Sequence, residues 1–494
     1  MTRATKSLTL TLQLRSRASD TDALERALEG IIAGRRAPLS RREFAAEFGA
    51  APSDVAAVRR FARSRGFRVS SVGMATRLLR LSGPKARLAR AFGAKRVSLP
   101  SEIADCVLGV HGMGDDIDFR RHGGVEMAVG AAKTIASYLP PQVAALYKFP
   151  RHLDGRGQAI GVVALGGGYL RSDLRTFFRA LRVRAPSIRA VSVDGVRNAP
   201  RGDSAQYDGE VTGDVETVAA LAPKARIAVY FAPNTPRGFL EAVATAVHDR
   251  RQRNTVLSIS WGLAEPHWDR ATLHAMNQVL LEAAVLGITV CCSSGDYGYL
   301  ADPHDRTAHV NFPASSPYVL ACGGTTLLGR RSTIHSERVW HSDHGASGGG
   351  VSEIFPRPAW QHGVRVPRAA NGLAGRGVPD VAANADPLTG YRFFGHGQWH
   401  VGAGTSASAP LWAGLMALIN QSAGTAVGLP TPFLYARFKA LVRARAVVPI
   451  IHGGNGLFRA RRGWSCCTGV GSPRGARLAE AFARRRWSRA LELQ

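Results

Sequence analysis

Ala159-Ile160-Gly161-Val162-Val163-Ala164-Leu165-Gly166-Gly167-Gly168 is the stretch on which the reading of the fold turns. Its apolar run is continuous rather than alternating, which fits a strand covered on both faces, and it ends in three glycines. Ile227–Ala232, Val256–Ser260 and Ile288–Cys292 repeat the pattern. Helical spacing fills the intervals at Asp173–Leu181, Val211–Ala222, Leu240–Asp249 and Arg270–Leu286. Apolar strands separated by crossover helices predict an α/β fold, a parallel sheet with helices on both faces. Chemistry in such sheets gathers beyond the carboxyl ends of the strands. Asp296, in Ser293-Ser294-Gly295-Asp296-Tyr297-Gly298, stands just past one such end.

Upstream the pattern differs. Leu8–Leu14 and Phe67–Val72 alternate as strands, and Arg77–Leu81 continues in that style. Ser40-Arg41-Arg42-Glu43 is a capping box, and Phe44, Phe48, Val55, Val58 and Phe61 follow at helical spacing. A further helix is expected over Pro84–Phe92. Residues 1–115 therefore read as a small α+β, ferredoxin-like domain. A glycine-rich stretch from His111 to Ala136 follows, placing an exposed, nickable linker at 116–137. The α/β domain then runs over 138–485, with a short tail at 486–494.

Composition sets the bounds. The chain has 494 residues, 45% hydrophobic and 20% charged, as a globular protein does. No run of eighteen apolar residues suggests a membrane span. Leu8-Thr9-Leu10-Thr11-Leu12 alternates, unlike the core of a signal peptide. The formal charge of +28 invites a polyanion-binding reading. Its arginines are dispersed, however, and no basic block is interleaved with aromatics, so a solvated surface is the better reading. The six cysteines, Cys106, Cys291, Cys292, Cys322, Cys466 and Cys467, show no zinc spacing. They are expected to be buried, with room for one disulfide.

Two short segments carry candidate chemistry. Glu210-Val211-Thr212-Gly213-Asp214 puts two carboxylates on one helical face, where one pKa must rise. Taken alone, the signal is weak, and an exposed pair on a solvated helix face is the better explanation. Gly404-Thr405-Ser406-Ala407-Ser408-Ala409-Pro410 leads into an apolar helical run, so a serine sits where a helix dipole and free amides meet an oxyanion. In isolation it could be a helix cap, and Ser408 is a rival nucleophile by composition. A serine nucleophile needs a base. His111, His396, His400 and His452 lie near glycines, but most of the histidines read as surface residues, which leaves the carboxylate pair as the better base.

With these segments in place, the chain resembles the sedolisins, the serine-carboxyl peptidases, and most closely their kumamolisin-like members. The shared segments run in order through nearly the whole chain: Pro140–Tyr147, Glu210–Asp214, Ser258-Ile259-Ser260-Trp261-Gly262, Ser294-Gly295-Asp296 and Phe312–Tyr318. Ser347–Gly350, Gly377–Val381, Gly404–Pro410 and Cys467–Pro473 complete them. The resemblance implies a subtilisin-like fold, with Ser406 as nucleophile and Glu210 as general base. It further implies that Asp214 tunes Glu210 and that a protonated Asp296 donates to the oxyanion. It also implies an acid-acting, secreted, monomeric endopeptidase whose first domain is a self-cleaved propeptide and intramolecular inhibitor. Its substrates would be proteins or peptides, with neither nucleic acid nor membrane as a specific partner.

Four positions depart from the family pattern. Calcium is usual in the family, but Pro449 and Ser465 replace its side-chain carboxylates, leaving Pro449-Ile450 and Gly463-Trp464-Ser465 as a degenerate site. Ala164 replaces an outer glutamate of the carboxylate network. Asn311 replaces a substrate-pocket aspartate, which weakens any expected preference for basic side chains. A catalytically silent binding or scaffold relative is the alternative that these losses raise.

Overall fold

A computed structural model describes residues 7–491, except 19, 21, 94–96, 114–118, 122–126, 129–134, 203–206 and 303–305. Most of the expected linker therefore lies outside the described residues. The N-terminal unit runs β1 (Ser7–Leu14), α1 (Ala23–Ile32), α2 (Arg41–Phe48), α3 (Pro52–Ser64), β2 (Arg68–Val72), β3 (Leu78–Pro84), α4 (Lys85–Phe92) and β4 (Val107–His111). Its antiparallel sheet has the order β2-β3-β1-β4, the expected ferredoxin-like arrangement. The capping box forms: the Ser40 amide donates to Glu43 Oε2 at 2.7 Å, and the Glu43 amide to Ser40 Oγ at 3.2 Å. The helical face expected after it is two helices, because Gly49 closes α2 and Pro52 starts α3 at a position needing no amide donor.

Two short linker strands follow, β5 (Arg120–Arg121) and β6 (Met127–Ala128), then α5 (Pro140–Leu146). The larger unit continues with β7 (Ala159–Ala164), α6 (Arg171–Ala180), β8 (Ile188–Ser192), α7 (Tyr207–Leu221), β9 (Arg226–Phe231) and α8 (Pro236–His248). β10 (Val256–Ile259), β11 (Trp261–Ala264), α9 (Arg270–Val285), β12 (Thr289–Ser293), β13 (Asn311–Phe312), β14 (Leu320–Arg330) and β15 (Thr333–Val339) come next. The long helix α10 (Thr405–Ala423) carries Ser406 and Pro410. The eight-stranded sheet has the order β15-β14-β12-β10-β7-β9-β8, with Val381–Asn384 added beside β14. Every pairing in it is parallel except β14 with β15.

The continuous apolar strands have the expected consequence. Ile160, Val162 and Ala164 face one core with α7 and α10, while Val163 and Leu165 face a second core with α8 and α9. The N-terminal unit rests on this second side, and Leu24, Leu28, Phe44 and Phe48 join its core. Polar contacts fix the seam. Arg41 donates to the carbonyls of Val247 and Asn254, both at 2.9 Å, and Arg77 pairs with Glu282, itself 2.6 Å from His248. All six cysteines are buried and free. The last helix spans Gly475–Leu491, so the stretch read as a tail continues it.

Candidate active site

Helix α7 brings Glu210 and Asp214 into the interior, 7% and 3% exposed, on successive turns. Burial pushes the Asp214 carboxyl up to about 8, against the downward pull of a hydrogen bond from Ser260. That bond runs from Ser260 Oγ to Asp214 Oδ1 at 2.9 Å. Ser260 lies between β10 and β11, and its carbonyl accepts from Ser406 Oγ at 3.4 Å. A single residue thus bridges the acidic helix to Ser406.

Ser406 is 5% exposed, at the second position of α10. Gly404 precedes it with φ +93°, a backbone conformation that suits glycine, and its amide donates to Ala385 O at 2.7 Å. Helices α7 and α10 pack directly against each other; a Cβ on Gly414 would come within 2.8 Å of Leu221. Glycine at that point permits the close approach of the two helices that carry Glu210 and Ser406.

Asp296 follows β12 and is 8% exposed. Its Oδ1 accepts from the amide and the hydroxyl of Thr405, both at 2.8 Å, and Thr405 Oγ1 accepts from the Gly295 amide at 3.0 Å. The carboxyl is thereby fastened to the residue before Ser406. Asn311 lies against the same loop. Its Nδ2 donates to Ser294 O at 3.3 Å, and a Cβ on Gly295 would meet that nitrogen at 2.1 Å. Ala164 is buried at the end of β7, and Ser408 is buried with no exposure.

The linker strands flank this cluster. β5 pairs antiparallel with β11, Arg121 opposite Trp261 and Arg120 opposite Gly262. β6 pairs antiparallel with the strand Gln398–Gly402, Ala128 opposite His400 and Met127 opposite Val401, and that strand leads into Ser406. The histidines correct one expectation. His111 and His400 are each 1% exposed, and His396 is 3.0 Å from Asp208, so of the four only His452 is an exposed surface residue. Burial lowers His111 to about 4, with Thr272 Oγ1 2.9 Å from its Nδ1. Ser260 and Thr405 do not stand out in the sequence as site residues. A serine at the carboxyl end of an apolar strand is the available signal for the first.

The region expected to be a degenerate calcium site is closed by its own hydrogen bonds. Ser465 Oγ accepts from the amides of Cys467 at 3.4 Å and Thr468 at 3.3 Å, and Ile450 is buried. The carbonyl of Trp464 already accepts from Arg461 Nε at 2.8 Å, and Arg461 also donates to Arg365 O at 2.5 Å. Among the described residues no group of three His, Cys, Asp or Glu side chains could hold a metal ion.

A parallel sheet flanked by packed helices, a serine at the head of α10 and a separate N-terminal unit on its flank define a subtilisin-like serine peptidase with an activation domain. Comparisons with known proteins agree: the Subtilase family matches residues 204–437, and the Pro-kumamolisin activation domain matches residues 1–97. Kumamolisin from Bacillus sp. strain MN-32 is 42% identical over 510 residues, covering 96% of this chain and 91% of that protein. Sedolisin from Pseudomonas sp. strain 101 is 27% identical, over 88% of this chain and 80% of that one. The solved structure of Pseudomonas sedolisin with pseudo-iodotyrostatin superposes with a TM-score of 0.64 at 26% identity, covering 71% of this chain and 98% of that one. The chain belongs to the sedolisin family of serine-carboxyl peptidases, among its kumamolisin-like members.

Proposed function

We propose that the protein is an acid-acting endopeptidase in which Ser406 attacks the substrate carbonyl and Glu210 takes its proton. Asp214 hydrogen-bonds and tunes Glu210, and protonated Asp296 donates to the oxyanion. The observation that carries this reading is the chain of contacts joining the two helices, Asp214 to Ser260 to Ser406, with Asp296 fastened to Thr405 on the other side. A proton passing from Ser406 to Glu210 leaves the nucleophile free. The negative charge that develops on the substrate oxygen then meets a carboxylic acid rather than a second anion.

Acid action follows from the donors. A carboxyl donates a hydrogen bond only while protonated, and an unperturbed aspartate loses its proton near pH ~3.9. Asp214, pushed up to about 8, stays protonated through the acid range and can share its proton with Glu210. Turnover needs Glu210 ionised and Asp296 protonated together, a combination that gives a bell-shaped profile.

Self-processing of the precursor falls in the linker, and we place the cut bond between Arg121 and Met127. The support is the pairing of Arg121 with Trp261, the residue after Ser260, and of Met127 with the strand that leads to Ser406. The substrates are proteins or peptides, bound as an added strand along β11. No helix among the described residues is long and apolar enough to cross a membrane, and location outside the cell is the reading the family resemblance carries.

Calcium does not fit Pro449-Ile450 and Gly463-Trp464-Ser465. This corner offers no carboxylate, its serine hydroxyl accepts two amides, and a guanidinium occupies one of its carbonyls. No catalytic step depends on the ion. The test of the reading is the pH dependence of peptide hydrolysis: an acidic maximum supports it, and a maximum near neutrality overturns it.

A further inference from the structure

Asp208 lies two residues before Glu210, in the first turn of α7, and is 1% exposed. A carboxylate there would ordinarily face its own helix's free amides. This one turns to three neighbouring loops instead. Its Oδ1 accepts from the Gly168 amide at 2.8 Å. Its Oδ2 accepts from the amides of Arg201 at 2.6 Å and Gly202 at 2.9 Å, and lies 3.0 Å from His396 Nε2. Gly168 belongs to the glycine turn after β7, and Arg201 and Gly202 lie between β8 and α7. His396 is at the turn of the hairpin Tyr391–Gly402, held with φ +48°, a conformation uncommon outside glycine.

The hairpin is the covalent lead into Ser406, and it is tied to α7 a second time where the Phe394 amide donates to Glu216 Oε2 at 2.9 Å. The two contacts lie at opposite sides of Glu210 and Asp214 along the helix. We infer that Asp208 and His396 form a positioning pair that locks the first turn of the catalytic helix to the hairpin carrying the nucleophile, and that the imidazolium balances the Asp208 charge next to Glu210. The inference rests on the proposed role of Glu210 as base.

Among the described residues, α7 carries the charged side chains Asp208, Glu210, Asp214 and Glu216, the loop before it Arg201 and the hairpin Arg392, while Asp173 on α6 acts on Glu216. Arg201 itself lies over the Tyr207 ring at 5.8 Å.

The experiment compares His396→Phe, His396→Gln and Asp208→Asn with the parent, following peptide hydrolysis and precursor self-processing across pH. With His396→Phe, the uncompensated Asp208 charge opposes ionisation of Glu210. The acid limb of kcat/KM then moves up by about half a pH unit to one pH unit, the Coulomb effect of one unpaired charge nearby in a partly solvated site. kcat falls roughly tenfold to a hundredfold with KM little changed, as loss of alignment dictates. His396→Gln, which keeps a neutral donor, recovers rate but not the position of the limb. Asp208→Asn removes the charge and moves the limb down. Should Asp208→Asn not fold, the two His396 variants, at the partly exposed tip of a hairpin, carry the test alone. An acid limb that stays at the parental pH in His396→Phe overturns the inference. Glu210→Gln separates the two levels: if it retains turnover the reading of the base has failed, and if it abolishes turnover while the limb ignores His396, only the positioning pair has failed.

Discussion

Replacing Asp296 by asparagine separates the proton of the oxyanion donor from its geometry. Asp296 Oδ1 accepts two bonds from Thr405 at 2.8 Å each, and an asparagine Oδ1 can accept the same two. The other terminal atom changes from an oxygen that donates only when protonated to an amide that donates at every pH. On the proposed role, raising the pH in the parent would strip the donor and leave an anion facing the oxyanion. Removing a single oxyanion donor costs about a hundredfold to a thousandfold in kcat, about 2.7–4 kcal/mol. Asp296→Ala should therefore lose that factor at all pH values. Asp296→Asn should remain within roughly tenfold of the parent in acid and lose the basic limb, its rate holding toward neutrality where the parent falls. The assay is kcat on an internally quenched peptide across the acid-to-neutral range. A basic limb unchanged in Asp296→Asn, or full activity in Asp296→Ala, refutes the role given to this carboxyl.

Two further outcomes test other parts of the account. Burial raises the Asp214 carboxyl to about 8 and also raises Glu216 and Glu265, so the folded chain holds these protons more tightly than the unfolded one. The stability they contribute is full below about pH 4 and is lost as the pH rises toward 8, each group giving up about 1.4 kcal/mol per pH unit between its unfolded and folded pKa. The melting temperature of the Ser406→Ala precursor should thus fall from pH ~5 to pH ~8, and Asp214→Asn should flatten that slope; a melting temperature that rises over this interval contradicts the sign. Calcium or a chelator should leave the melting temperature of the precursor within about 1 °C, because an ion that does not bind the folded state cannot stabilise it, and a rise of several degrees with millimolar calcium contradicts the reading of Pro449 and Ser465.

The sheet is legible because its strands are apolar on both faces, a pattern that only burial between two helical layers explains. Ile160 and Val163 duly face different cores. The N-terminal unit is legible from its capping box, whereas α1 goes unread although Asp22 stands at its start and Glu25 lies in its first turn. Glu210 and Asp214 are visible by spacing alone, whereas their distinction from a solvated pair requires the burial that only the fold supplies. Ser260 shows the limit most clearly. Its hydroxyl and carbonyl serve two residues 46 and 146 positions away along the chain, a juxtaposition absent from any local pattern. The pairing of His396 with Asp208 is hidden for the same reason, since the two lie 188 positions apart along the chain.

The central claim is that this chain cleaves itself with Ser406. The direct measurement is the intact mass of purified precursor and of its Ser406→Ala variant, before and after incubation at about pH 4, where the donor and the base can coexist. The account expects the parent to shed a fragment ending between Arg121 and Met127 while Ser406→Ala remains whole. Equal cleavage of both proteins, at the same bond and rate, would contradict it.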